Sequence, residues 1–421
     1  MKKSYYFSIY HHNLLIDDNT LIVRKFIVLK NKQHQICAFT DFHNYVIPKK
    51  QLARSIHYNG GARFDFIIKF LNYVFWEKYH IESLDMISVS IVRDFLNDYG
   101  MSSLPNDTKK RTKATVEQCI TATLDFINAL IEDKNLQLNI TKEDLYKTIF
   151  VRNKQGKMIK KKVPVFDVTY LSKPKDIFRD MPNKVFEIFL NHFMNEHPEL
   201  LMLVTLSAFA GLRPSESCNV RREDSNLGPG IQFTFLEGEL FKITIDLTET
   251  LNLRSDLLPV GGIKKHRTQY VPEIFKDAFY ECYLHYMNYI NGKKYEADYG
   301  PLSLNKQGKA ITYDSYYGKF RNIVRNEIIP ILLSDENPEV VYYGHLLLEN
   351  NISPHIFRHW YSVQLVLNGY SIHELMHARG DSSPTSALVY LQNKGELEKQ
   401  YRLVNTEIFN YMNWLAEKEY K

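Results

Sequence analysis

Cysteine is scarce in this chain. The 421 residues hold four, Cys37, Cys119, Cys218 and Cys282. They are widely scattered, and no two stand at the spacing of a metal-binding pair, which excludes a disulfide framework and a cysteine-built zinc module and fits a reducing cytoplasm. Long apolar runs are missing as well. A bilayer span needs about 20 consecutive apolar residues, and no stretch approaches that. The opening MKKSYYFSIYHHN is too polar for a secretory leader. The expectation is a cytoplasmic protein with no membrane partner. There is no internal repeat and no low-complexity tract. Excess charge is small too: 53 Lys and Arg against 48 Asp and Glu, a net +5. A total so close to balance says little about partners, so the placement of the charge has to carry that argument.

What is present is enough apolar material, 44% hydrophobic and 13% aromatic, for two or three cored domains. The fold class expected is mainly α with a small antiparallel β-sheet. Residues 1–51 carry short β-favouring runs, LIVRKFIVL at 21–29 and then ICAFT and YVI. They read as a β-rich N-terminal element, either an arm that binds DNA or a packing extension of the next domain. Residues 52–150 read as helical. FDFIIKFLNYVFWEKY at 64–79 is one apolar helix, and LDMISVSIVRDFLNDYG at 84–100 is a second that ends on Gly100 as a C-cap. The third pattern, 103–133, places Lys109, Lys110, Arg111 and Lys113 in its first turns. Cations there oppose the helix dipole, so a polyanionic partner would explain them; a solvated face is the other reading. Residues 151–180, which overlap a basic stretch at 147–176, read as a linker. Lys154, Lys157, Lys160, Lys161 and Lys162 would let an extended connector follow a phosphate backbone.

From 181 to 393 the pattern is helical again, with strands at IQFTFLE, LFKITIDL and RTQYVP set inside it. Residues 394–421 have the apolar spacing of a terminal amphipathic helix. Three motifs lie in this half. In AFAGLRPSE at 208–216, Gly211 closes one helix, Pro214 opens the next and Glu216 sits in its first turn. Arg213 stands at the junction, where helix N-terminal N–H groups favour anions. In GGIKKHRTQYVP at 261–272, Lys264, Lys265, His266 and Arg267 cluster before a strand. In PHIFRHWYSVQLVLNGYSIHELMHARGDSSPTSALVY at 354–390, His355 and Arg358 share one helix face, a Gly-Asp-Ser-Ser break follows at 380–383, and Tyr390 comes nine residues after Asp381. His373 and His377, one helical turn apart, lack an evident third metal ligand.

These motifs together resemble the tyrosine recombinase (phage integrase) family. That family reads Gly-Leu-Arg-x-x-Glu, a lysine on a β-hairpin, His-x-x-Arg, a Gly-His-Ser-like box and then the tyrosine nucleophile. The resemblance covers roughly residues 60–400. It implies a helical core-binding DNA domain, a basic linker and a mixed α/β catalytic domain. It also implies that Arg213, Lys264, His355, Arg358 and Tyr390 form the catalytic set, with Glu216 supporting it and with no cofactor or metal. Counting back from Pro272, Lys264 takes the lysine position and Lys265 competes with it. Lys265 and Arg267 would touch DNA. The expected partner is double-stranded DNA at a specific site, bound by four copies and open to help from accessory factors, with the terminal helix docking on a neighbour or on its own chain. The expected activity is site-specific cutting and rejoining through a 3′-phosphotyrosyl link, in the service of a mobile element.

Elementary chemistry agrees with that assignment. Two guanidiniums clamp non-bridging phosphate oxygens, an unperturbed phenol of pKa about 10 needs a base or a positive surrounding, and the leaving oxygen needs an acid. Asp381 is the departure, since the family has His or Trp there. An ionised carboxylate donates nothing and repels phosphate. Asp381 either caps the following helix, or orients His355 or Arg358, or marks a weakened site. The alternatives are therefore an accessory DNA-binding protein of the same fold and a type IB topoisomerase, with a helical RNA-binding protein the reading from an unrelated class.

Overall fold

The computed structural model describes residues 5–17, 19–48, 58–152, 158–171, 181–295 and 299–381. They form two compact units. The first comprises Met1–Leu14 and Ile22–Lys175, the second Leu15–Leu21 and Asp176–Lys421. Among the described residues both are mainly helical with small sheets, as the sequence suggests. No helix among them is long and apolar enough to cross a membrane.

A three-stranded sheet in the order β1 (Tyr5–Ile16), β2 (Thr20–Asn31), β3 (Ile36–Phe39) belongs to the first unit except at the β1–β2 tip, which falls within Leu15–Leu21. Its apolar face joins the helical core: Phe7 and Ile27 belong to the same buried cluster as Phe64, Phe70, Phe95 and Phe126. Asn72 fixes the join from inside, accepting from the Phe7 N–H at 2.8 Å and donating to the Phe7 carbonyl at 2.9 Å. Buried backbone groups require such partners. The N-terminal strands thus pack into this unit.

The helices of the first unit are α1 (Arg63–Asn72), α2 (Val89–Gly100), α3 (Lys113–Ile131) and the single turn α4 (Lys142–Leu145). Several differ from the sequence reading. The pattern at 64–79 breaks into a π-turn at Tyr73–Glu77. The pattern at 84–100 is a short 3₁₀ turn followed by α2, because Ser88 caps α2 through the Ile91 N–H. Gly100 is not the C-cap; Met101 is. Gly100 lacks a side chain for another reason: a Cβ there would stand 2.2 Å from the Thr169 carbonyl oxygen. Thr112 caps α3, so Lys109, Lys110 and Arg111 precede the helix. The expected connector at 147–176 is in large part a hairpin, β4 (Tyr146–Arg152) with β5 (Met158–Pro164), paired antiparallel from Tyr146↔Pro164 to Arg152↔Met158. Alternating β-branched and aromatic residues in YKTIFVR supply the strand preference that the lysines obscured.

The second unit is built on α6 (Pro198–Phe209), which is buried on all sides. A helix without a polar face must lie inside a core. α5 (Asn183–Asn195), α8 (Lys276–Ile290) and α12 (His355–Leu367) pack around it. Phe186 of α5 stacks on Trp360 of α12 at 3.8 Å between ring centres. Rings of this size each contribute about 1.5–3 kcal/mol on burial. The short helix α7 (Pro214–Ser217) follows α6. A sheet in the order β6 (Ile231–Leu236), β7 (Glu239–Leu247), β8 (Arg267–Tyr270) is antiparallel throughout. Inward-facing Ile243, Ile245 and Leu247 alternate along β7. The remaining helices are α9 (Tyr313–Ile323), α10 (Ile329–Leu333), α11 (Pro338–Glu349) and α13 (Ile372–Arg379), with a second π-turn, Val324–Ile328, between α9 and α10. The proposed terminal helix at 394–421 lies outside the described residues.

Candidate phosphate-binding site

The site starts where α6 ends. Gly211 has φ +64°, and a Cβ there would meet the Tyr361 ring at 2.3 Å. Only glycine satisfies both demands. The turn it makes sets Arg213 just ahead of Pro214 and α7.

Glu216 is fully buried and draws four groups together. Its carboxylate accepts from the Arg213 N–H at 3.2 Å, Arg213 Nη1 at 3.0 Å, Arg267 Nη2 at 3.1 Å and the Lys264 backbone N–H at 3.3 Å. Burial alone would raise its pKa, but Arg267 and Arg213 outweigh burial and hold it below the usual glutamate value. One carboxylate thereby joins α7, the loop before β8 and β8 itself.

α12 supplies the next two groups. Arg358 is buried and donates to the Gly211 carbonyl through Nη1 and to the Arg379 carbonyl at 2.8 Å through Nη2. Burial and the like charges of Arg379 and Arg213 lower its pKa, with Asp381 and Glu216 opposing. It still remains a cation at neutral pH. His355, at the first position of α12, keeps an open face to solvent. Partial desolvation of the ring and the charges of Arg358, Arg213 and Lys264 hold its pKa below the ordinary histidine value. With that open face, the fixed positive charges are the firmer cause.

Asp381 closes the cluster. Its Oδ1 accepts from Arg213 Nη2 at 2.8 Å and from Arg358 Nη2 at 3.0 Å, while its Oδ2 accepts from Arg379 Nε at 2.8 Å. Gly380 makes this approach feasible. It caps α13 in the left-handed region at φ +62°, and a Cβ there would stand 2.4 Å from Arg267 Nε. Asp381 thus hydrogen-bonds Arg358, Arg213 and Arg379 at once. The residues it would cap, 382–384, lie outside the described residues.

The structure therefore brings Arg213, Glu216, His355, Arg358 and Asp381 together, with the Lys264 backbone on Glu216. Lys264 is exposed and lies in the loop before β8, not on a hairpin strand. Tyr390, Lys154 and Lys157 lie outside the described residues. Tyr361 is fully buried and donates to the Ala378 carbonyl at 3.2 Å, a packing role. Arg267 differs from the expectation of a DNA contact. Its three donor groups are committed within the protein, to Glu216, to Gln269 at 2.8 Å and to the Lys265 carbonyl at 2.9 Å.

Arg111 is corrected in the same way. It is buried, stacks 3.9 Å from the Tyr99 ring centre, donates to the Tyr99 carbonyl at 2.7 Å and pairs with Asp107 at 2.7 Å. A local structural cause for its charge thus exists. Lys109 and Lys110 are exposed, and Lys113 pairs with Glu117 at 3.8 Å. Lys160, Lys161 and Lys162 are exposed on β5.

Nothing in the sequence singles out Arg379 or Gln269. Arg379 looks like an ordinary cation in the last turn of a helix, yet it is buried and donates to Ser362 Oγ at 2.6 Å. Gln269 donates to the Ala378 carbonyl at 2.6 Å and ties β8 to α13. Between these two elements runs a groove of about 700 Å³; Arg267, Gly380 and Asp381 belong both to its wall and to the cluster.

No family model and no curated protein matches the chain. Among solved structures, a XerH site-specific recombinase bound to its difH substrate is 16% identical, over 77% of this chain and 73% of that one, with a TM-score of 0.42. The Tn1549 transposon integrase in complex with transposon right end DNA is 15% identical over 78% and 89%, with a TM-score of 0.45. A XerA recombinase is 14% identical over 82% and 90%, with a TM-score of 0.33. These three structures are a site-specific recombinase, a recombinase and a transposon integrase.

Proposed function

We propose that this chain is a site-specific DNA strand transferase of the tyrosine recombinase kind, acting on double-stranded DNA through Tyr390. The observation that carries the reading is the convergence of Arg213 and Arg358. Residues far apart in sequence place one nitrogen each against the same oxygen of Asp381, at 2.8 and 3.0 Å. The two nitrogens are no further apart than those two bonds laid end to end. That spacing suits two non-bridging oxygens of one phosphate.

In the reaction the Tyr390 oxygen attacks phosphorus and the bond from phosphorus to the 5′ oxygen breaks. His355 takes the phenol proton, and its lowered pKa keeps the ring neutral and able to do so at neutral pH. Lys264 supplies the proton to the departing 5′ oxygen. Arg213 and Arg358 stabilise the added charge of the pentacoordinate state; one such donor is typically worth on the order of 10²–10³ in rate. The product is a 3′-phosphotyrosyl link that conserves the bond energy, so another strand's 5′-OH can reverse the step. Lys109, Lys110 and Lys160–Lys162 contact phosphates of the bound duplex. Four copies acting together on a mobile element's ends complete the reading.

Asp381 favours a second reading. It occupies donors of both arginines, as it would in an accessory DNA-binding protein that does not cleave. Incubation with nicked duplex from the protein's own genomic flank separates the two. The first reading gives a denaturant-resistant protein–DNA adduct that Tyr390→Phe abolishes. Sequence-specific binding without an adduct gives the second, and relaxation of any plasmid without site preference points to a type IB topoisomerase.

A further inference from the structure

His192, His197 and Glu327 meet in the second unit, and the strand-transfer chemistry uses none of them. Glu327 Oε2 accepts from His192 Nε2 at 2.9 Å and from His197 Nε2 at 2.7 Å. The three candidate ligand atoms all lie within 4.8 Å of one another. Each comes from a different element. His192 is in the last turn of α5, His197 caps α6, and Glu327 sits on the π-turn Val324–Ile328. π-turns are rare and are frequent at functional sites. Here the turn lies within the helical run from α9 to α10 and carries Glu327 to the two histidines.

We infer that His192, His197 and Glu327 form a binding site for a divalent transition-metal ion of the zinc class. Two imidazoles and one carboxylate are a ligand set that zinc takes, with a fourth position left to water. Zinc bonds to these ligands measure about 2.0–2.2 Å, which puts tetrahedral ligand atoms about 3.3–3.6 Å apart. The present spacings of 2.7 and 2.9 Å to the carboxylate need only to open by several tenths of an ångström. The imidazole protons move to Nδ1 as Nε2 takes the ion. All three side chains are partly exposed, at 11, 22 and 36% for His192, His197 and Glu327, so the ion has a way in. Magnesium, which prefers oxygen ligands in an octahedron, does not suit the set. A bound ion would pin α5, the start of α6 and the π-turn together. The inference stands apart from the strand-transfer reading, because none of the three residues belongs to the arginine cluster.

The test uses tag-free full-length protein stripped with chelator. Equilibrium dialysis against micromolar zinc should give one ion per chain. Saturating zinc should raise the melting temperature by about 5 °C, while magnesium leaves it unchanged. Cobalt should give the intense visible bands of a four-coordinate site. His197→Ala and the near-isosteric Glu327→Gln should each lower the affinity at least tenfold and remove those bands. A double change of His373 and His377 to Ala, on α13, should leave binding intact. The inference is overturned if the wild type takes up no stoichiometric zinc, if both His197→Ala and Glu327→Gln bind as tightly as wild type, or if the α13 pair abolishes binding.

Discussion

One oxygen of Asp381 accepts hydrogen bonds from both Arg213 and Arg358, at 2.8 and 3.0 Å. A carboxylate at this position therefore acts as a template that holds two guanidiniums side by side. Its side chain is only 7% exposed, so Asp381→Ala removes the carboxylate that Arg213, Arg358 and Arg379 share. The expected cost is about 3 kcal/mol of stability and a fall on the order of tenfold to a hundredfold in single-turnover cleavage, with DNA affinity little changed. Denaturant unfolding and cleavage of a nicked substrate measure the two effects. Cleavage no worse than wild type removes the positioning role.

His355 gives a pH prediction. Its pKa is held below the ordinary value by partial desolvation and by Arg358, Arg213 and Lys264. In the proposed reaction the neutral ring is the competent base, so the acidic limb of the cleavage rate should fall below pH 6.5. An NMR titration of the His355 ring should show a midpoint on the same side. The folded state binds its proton less readily than the unfolded state, so this group costs stability only as pH drops below that range. A midpoint at or above 6.5 contradicts the electrostatic account.

Glu216 gives the opposite kind of test. Its folded pKa is depressed by Arg267 and Arg213 against the effect of burial. Its contribution is complete above the unfolded glutamate value and is lost as pH falls through the folded one, so acid unfolding should steepen below about pH 4.5. Glu216→Ala should destabilise by about 3–5 kcal/mol, since it strips a buried partner from two arginines. Urea titrations between pH 3 and pH 7 measure both. A variant with an unchanged pH profile would remove Glu216 from the centre of the scaffold.

Arg111 and its neighbours should separate cleanly. Arg111→Ala removes a buried ion pair and a ring stack and should cost on the order of 3 kcal/mol. Changing both Lys109 and Lys110 to Ala should leave the melting temperature alone, weaken DNA binding and flatten its salt dependence by roughly 2 on a log–log plot. If Arg111→Ala melts like wild type, its charge has no structural use.

Much of the site could be read from residue order alone. Gly211, Arg213 and Glu216 follow a helix-end grammar that is local, and His355 and Arg358 share a face by simple periodicity. Asp381 was visible as a departure but not as a solution, because its partners come from three separate helical segments. Arg379 and Gln269 were invisible for the same reason. Burial decides what an arginine does: Arg111 and Lys109, two positions apart, have different roles, and no charge count tells them apart. The hairpin at Tyr146–Pro164 was hidden by its lysines, which line an exposed strand and not a free connector.

The most direct measurement is the identity of the residue that carries the DNA. A stalled adduct on nicked flank DNA, digested with nuclease and trypsin, should yield one peptide bearing a nucleotide 3′-phosphate on Tyr390. The same digest of Tyr390→Phe should yield none. A nucleotide on any other side chain, or an adduct that survives Tyr390→Phe, contradicts the account.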